Sequence, residues 1–215
     1  MSSSLARVKL RCRATASKVR SCRSSIAPCY GLQSESVFDL SISVPDLGVV
    51  LAAETTIRQG LRPGDIGAVA RMHGVLYTRE YELDHRIEAS VAESMARRAD
   101  ALAASHGAAL WLAERDGAVV GAIGMTGQGD GVARLRWFLV APEARGAGIG
   151  GRLLGAALGW ARAQAYKRVV LFTFGDLFDA ARLYARAGFR KVNERVGTEW
   201  SEVMVEERWE LQLRE

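Results

Sequence analysis

Seven residues, Arg145-Gly-Ala-Gly-Ile-Gly-Gly151, separate an apolar, β-prone run (Leu135 to Val140, closed by Pro142) from an amphipathic helical pattern. A strand, a glycine-rich loop and a helix N-terminus in that order suit one kind of chemistry. The first turn of a helix leaves its N–H groups without acceptors, and the helix dipole adds partial positive charge there. Glycine removes the Cβ that would keep backbone from closing on an anion. The loop therefore predicts a site for a phosphorylated ligand. A second group of residues shares a face: His73, Tyr77 and Tyr81 recur at four-residue steps along a helical pattern. Such a face suits the wall of a polar pocket, and a half-buried packing stripe explains the same spacing.

The surrounding pattern supplies the elements that must position these groups. Thr55 to Leu61 reads as a strand, Arg62-Pro-Gly-Asp65 as a turn, and Ile66 to Tyr77 as a helix. Asp84 to Ser105 reads as one longer helix, with Ile87, Val91, Met95, Ala99 and Leu102 on one face. Ala109 to Glu114 and Ala118 to Met125 form a hairpin around Asp116-Gly117, and Gly127 to Gly131 forms a further turn. After the Leu135 strand, Ile149, Leu153, Leu154, Ala157, Leu158 and Ala161 line a helix. Arg168 to Phe174 is a buried strand, and Phe178 to Ala187 a helix stopped by Gly188. Phe189 to Val196 and Val203 to Leu213 are the closing strands. The order β-α-α-β-β-β-α-β-α-β-β predicts an α/β fold. Its mixed sheet is antiparallel in the N-terminal half, with a parallel crossover at the glycine loop and helices flanking it.

At 215 residues the chain has room for a substantial core. Its net charge of +5 is unevenly placed. Residues 1–34 hold seven basic side chains and no acid, whereas the rest holds 22 basic and 24 acidic ones. The body thus carries no overall charge signature for nucleic acid, and no run is long enough to cross a bilayer. Cys12, Cys22 and Cys29 all lie in the basic tail at spacings that match no zinc pattern, so no metal is expected. Residues 1–54 are read as a basic, Ser/Arg-rich, disordered extension and residues 55–215 as the folded domain. A cytoplasmic location is expected, although residues 1–34 also match the composition of an organelle transit peptide. Assembly as a homodimer stays open.

Two phosphate-binding patterns overlap in the loop. Gly146, Gly148 and Gly151 satisfy G-x-G-x-x-G, the dinucleotide fingerprint; Arg145, Gly148 and Gly150 satisfy [Q/R]-x-x-G-x-[G/A], the acyl-coenzyme A pattern. A chain this rich in Arg, Gly and Ala meets the second by chance on the order of once, so context decides. A dinucleotide site opens a βαβ unit, with the strand running straight into the first glycine and an acid about 20 residues on. Here Ala141 to Arg145 intervenes, a hairpin precedes the strand, and the acid is missing.

The body, from about residue 56 to 213, resembles the GNAT acetyltransferase superfamily. Two segments carry the resemblance: Val140-Ala-Pro-Glu-Ala-Arg-Gly-Ala-Gly-Ile-Gly-Gly-Arg-Leu-Leu154 and Ala180-Ala-Arg-Leu-Tyr-Ala-Arg-Ala-Gly-Phe-Arg-Lys-Val192. His73-Gly-Val-Leu-Tyr77 with Glu80-Tyr81 is further similar to the acetyltransferase domain fused to winged-helix regulators of the multiple-antibiotic-resistance type, though the 54 preceding residues are too few for the winged helix.

The resemblance implies direct transfer of an acetyl group from acetyl-coenzyme A to an amine, a small molecule or a protein, within a ternary complex. Leu139 and Val140 would pair with the pantetheine arm. Arg145, Gly146, Gly148, Ile149, Gly150 and Gly151 would hold the pyrophosphate, and an amide near Phe138 or Leu139 would polarise the thioester. Tyr184 matches the position that protonates the departing thiolate. Glu114, at a strand end, is the chosen general base, ahead of Glu80, Glu82 and His73. His73, Tyr77, Tyr81 and Trp137 would line the acceptor pocket, with Trp137 and Arg136 projecting to opposite sides of their strand. One departure stands out: Leu177 occupies a position where the family usually carries Asn. That departure motivates the competing reading of a non-catalytic acyl-coenzyme A sensor; a dinucleotide enzyme is the remaining alternative.

Overall fold

The computed structural model describes residues 54–197 and 204–213. The expected extension, except for Glu54, and its three cysteines lie outside the described residues. Seven strands form one sheet in the order β1-β2-β3-β4-β5-β7-β6. These are β1 (Thr56–Gln59), β2 (Ala108–Arg115), β3 (Ala118–Gly129), β4 (Val132–Val140), β5 (Arg168–Phe174), β6 (Arg190–Gly197) and β7 (Met204–Gln212). Every neighbouring pair is antiparallel except β4 and β5. The helix α4 (Ile149–Ala163) makes that one parallel crossover. The expected mixed α/β sheet is thus observed. A sheet antiparallel through β4 lacks the opening βαβ unit of a dinucleotide fold.

Alternation along the strands sorts the core into two layers. Leu110 and Leu112 pack with Val69, Val91, Met95 and Leu102, from α1 (Asp65–Tyr81), α2 (Arg86–Ala96) and α3 (Ala99–Ala104). Trp111, between them in sequence, points the other way and meets Trp160 of α4 with ring centroids 6.2 Å apart. The fifth helix, α5 (Phe178–Arg186), lies on the α4 side, where Tyr184 packs against Trp209 and Phe189.

Two expected elements differ in detail. The single helix over 84–105 is two helices, because Arg98 leaves helical geometry (φ −121°) and turns its guanidinium back onto the Ser94 carbonyl at 2.9 Å. Met95 and Leu102 still reach one cluster, which is why the periodicity reads through the break. The turn expected over Gly127–Gly131 shrinks to Asp130-Gly131, both at positive φ (51° and 70°), as at Asp116-Gly117 (53° and 76°). Positive φ at both central residues matches the twist of the flanking strands, so β3 and β4 run almost to the turn.

The irregularity that matters most lies in β4. Gly124 pairs with Arg136 but Ala122 with Leu139, so β4 carries one extra residue. Trp137 sits in that bulge at φ 52°, a left-handed conformation rare for a bulky side chain. Its indole lies over Gly124 and donates from Nε1 to Ser94 Oγ at 2.7 Å. A Cβ on residue 124 would clash with Cε3 and Cζ3 of the indole. Gly124→Ala should therefore lower stability by about 2 kcal/mol in urea denaturation; unchanged stability would show that the bulge does not depend on this contact.

Candidate functional site

Ahead of the bulge, β4 and β5 part. They pair only at Val132–Arg134 with Arg168–Val170, leaving β4 after Arg134 without that neighbour. Ala141 donates its N–H to Val120 O on β3, so the main-chain groups of Val140 face the gap on the other side. A cavity of about 960 Å³ fills the gap and continues to the start of α4. Leu139, Val140, Arg145, Gly146, Gly148, Ile149, Gly150 and Gly151 all line it, as do His73, Tyr77, Tyr81, Trp137 and Tyr184.

The loop end of the cavity is built for an anion. Gly146 and Gly148 take φ of 80° and 74°, and a Cβ on either, or on Gly151, would meet nothing within 4 Å. Gly148 N-caps α4 with no side-chain hydrogen bond, and the first turn holds no acid. Among the described residues, the amides of Gly146 to Gly151 have no main-chain acceptor; intrahelical pairing begins with Arg152 N–H to Gly148 O at 3.1 Å. Ile149 is buried and anchors the helix, so the amides are exposed on a fixed support. This open cradle fits a coenzyme pyrophosphate.

Arg145 is oriented by its partners. Its Nε donates to Val140 O at 3.0 Å, and its Nη2 reaches both carboxylate oxygens of Glu80 at 3.0 Å. The Arg145–Glu80 pair is partly exposed and contributes little stability by itself. It does tie the glycine loop to α1.

Aromatic groups converge where the gap meets α1 and α5. Tyr77 stands 5.5 Å from His73, 5.7 Å from Tyr81 and 6.3 Å from Phe174, centroid to centroid. Tyr184 packs 6.0 Å from Phe138. Burial raises the pKa of the Tyr184 phenol well above its ordinary range, and Tyr77 adds to the shift; burial does the same to Tyr77. Both phenols therefore stay protonated at working pH. His73 is buried and lies 2.8 Å from the Val69 carbonyl through Nδ1. A carbonyl can only accept, so Nδ1 carries the proton and Nε2 keeps its lone pair. Burial lowers the His73 pKa to about 4, with the Val69 bond opposing.

Glu114 is not part of this assembly. It pairs with Arg58 Nε at 2.7 Å on the β1–β2 edge, where Asp65 also holds the guanidinium at 2.6 Å. It does not line the cavity, because β2 is two strands away from the gap. Trp137 and Arg136 do not oppose one another either. The bulge turns Trp137 onto the α1–α3 face, over Gly124, while Arg136 donates to Thr126 Oγ1 at 3.1 Å on the same face. Leu177 lines the cavity as the N-cap of α5, without a side-chain capping bond. Sequence reasoning passed over Arg134, Ser90 and Phe172, which also line it. The i, i+2 spacing of Arg134 and Arg136 in a predicted strand was the available signal.

The family model for the acetyltransferase (GNAT) family matches residues 76–189. Among solved structures, an acetyltransferase of the GNAT family from Staphylococcus aureus Mu50 is similar at 16% identity and TM-score 0.61, covering 75% of this chain and 100% of its own. A Salmonella typhimurium protein solved with its cofactor acetyl-CoA is 20% identical (TM-score 0.59; 75% and 95% covered). The PaiA N-acetyltransferase from Thermoplasma acidophilum, in complex with coenzyme A, is 16% identical (TM-score 0.59; 74% and 99% covered).

The His73 environment predicts a pH signature. The folded state resists a proton that the unfolded chain accepts near pH 6.5, so this contribution to stability is complete above pH 6.5 and is lost as pH falls towards 4. Between those limits the wild type should lose roughly 3 kcal/mol more than His73→Asn, whose amide can keep the Val69 bond without titrating. Parallel pH–stability curves for the two proteins would contradict the assignment.

Proposed function

The chain belongs to the acetyltransferase (GNAT) family, and on that premise we propose that it transfers an acetyl group from acetyl-coenzyme A to an amine. One observation supports the reading above the others: a single cavity joins the amide cradle of α4, the open edge of β4, Tyr184 and the His73–Tyr77 face. The pyrophosphate would lie on the amides of Gly146 to Gly151. The pantetheine arm would take the place beside Val140 that β5 leaves free, and the thioester would then stop near the bulge. A main-chain amide there, at Phe138 or Leu139, would donate to the carbonyl oxygen as negative charge develops.

Within a ternary complex the amine lone pair attacks the thioester carbon, forming a C–N bond. The C–S bond then breaks, and the sulfur leaves with the proton of the Tyr184 phenol. The surplus proton of the attacking nitrogen restores the phenol, directly or through water, so the net step moves one proton from nitrogen to sulfur. Burial keeps Tyr184 protonated at every pH where the amine is reactive, so the proton is present on oxygen when the sulfur leaves. Nε2 of His73 offers a hydrogen-bond acceptor for the amine N–H, and its low pKa keeps it from being protonated first. The reading assigns residues 55–215 as the catalytic domain and leaves no role for Glu114.

Two substitutions test the assignment. Gly148→Glu places a carboxylate, on a residue that needs φ 74°, where the phosphates would bind. It should weaken coenzyme A binding by at least about 100-fold in titration calorimetry, from charge repulsion together with the blocked cradle; unchanged affinity would remove the loop from the site. Tyr184→Phe should lower kcat about 100-fold while leaving the KM for acetyl-coenzyme A nearly constant. Unchanged kcat would exclude the phenol as the acid.

A further inference from the structure

The cavity does not end at the bulge. On the α1–α3 face it continues past Trp137 to Arg136 and Arg134, two and four residues before Phe138 on β4. Arg136 and Arg134 line it, and Arg98, outside the lining, is near enough for its charge to act on both. Arg136 donates to the Thr126 hydroxyl, Arg98 to the Ser94 carbonyl at 2.9 Å, and Arg134 lies 4.4 Å over the Phe172 ring. Among the described residues none of the three forms an ion pair with a carboxylate. The acid with an attraction to Arg134, among the described residues, is Glu206, which is itself bonded to Arg195 at 2.7 Å. The Nε of Arg134 is buried without a hydrogen-bond partner among the described residues.

Like charges gathered in a half-buried place repel one another and lose hydration; among the described residues they are opposed by hydrogen bonds to neutral groups, by the Phe172 ring and by the attraction of Glu206 for Arg134. The Arg136 pKa falls to about 9 for these reasons, burial first and then Arg134 and Arg98. The arrangement is complete only when an anion occupies it. Coenzyme phosphates are not that anion under the reading above. Their cradle lies beyond Val140, which is itself roughly 10 Å along the strand from Arg136. The thioester would lie between the two. What faces the arginines from the thioester is the acceptor.

We propose that the acceptor is a small primary amine carrying an oxyanion group, which Arg136 and Arg134 bind while the amine nitrogen reaches the thioester. This deepens the acetyl-transfer reading and rests on it. Planar guanidinium forks bind carboxylate and phosphate alike, so the recognised chemistry is the oxyanion on an amine. Half-buried Ser90 on α2 also lines this end and supplies a hydroxyl.

The test uses the full chain, acetyl-coenzyme A and matched pairs of amines: amino acids against their amides, and O-phosphoethanolamine against ethanolamine. Thiol release is measured for each. At least one pair should show a kcat/KM tenfold or more higher for the anionic member, and the pair that does so separates carboxylate from phosphate. Arg136→Gln should erase the gap while coenzyme A affinity stays within twofold of wild type. Thiol release with the uncharged amines equal or better overturns the oxyanion assignment alone, as does a gap that survives in Arg136→Gln. Coenzyme binding without thiol release from any amine overturns the transfer reading, and this inference with it. Should Arg136→Gln fail to fold, the wild-type pairs still decide.

Discussion

The parting of β4 from β5 is the constraint on which the rest of the site depends. A parallel pair that hydrogen-bonded along its full length would bury the main chain of Val140 and leave no room for a ligand. Pairing with β5 instead ends at Arg134, and an extra residue at Trp137 follows. It changes the register against β3 between Arg136 and Leu139. The left-handed φ at Trp137 is unfavourable for a bulky residue, and the surrounding contacts hold it in place: Gly124 below the indole and Ser94 accepting its N–H. A strained backbone is thus held in place by β3 on one side and α2 on the other.

Two electrostatic environments share that opening. At one end, helix α4 offers unpaired amides and no acid in its first turn. At the other, Arg98, Arg134 and Arg136 concentrate charge against a half-buried wall. Between them lie neutral groups kept neutral by burial, the phenols of Tyr77 and Tyr184 and the imidazole of His73. Unpaired amides and guanidinium groups thus lie at the ends, and neutral phenols and an imidazole lie between them. That distribution suits a reaction in which negative charge appears briefly on oxygen and then on sulfur.

Much of this was legible in the sequence because it rests on local pattern. The glycine loop, the Pro142 turn and the Leu183-Tyr184 segment are contiguous, and the periodicity of α4 and the alternation of β2 fix which sides are buried. The four-residue spacing of His73, Tyr77 and Tyr81 did bring them to one wall. What was not legible depends on long-range pairing. Glu114 looked available at a strand end, but Arg58 of β1 pairs with it, and Asp65 at the start of α1 holds the same guanidinium. Arg136 and Trp137 should face opposite ways on a regular strand; a single inserted residue turns them to the same face, and no local signal marks the insertion. The break at Arg98 was hidden because Met95 and Leu102 keep helical phase across it. The arginine cluster escaped notice because Arg98 and Arg134 are 36 residues apart, and only the fold brings their charges together.

The central claim is that acetyl-coenzyme A occupies the gap beside β4, with its phosphates on the α4 amides. Hydrogen exchange read by mass spectrometry, with and without acetyl-coenzyme A, tests it most directly. The account predicts that added ligand slows exchange selectively in peptides spanning Phe138 to Gly151, and leaves those of β1 and the β2–β3 turn unchanged. Ligand binding with no added protection at Gly146 to Gly151 would contradict it.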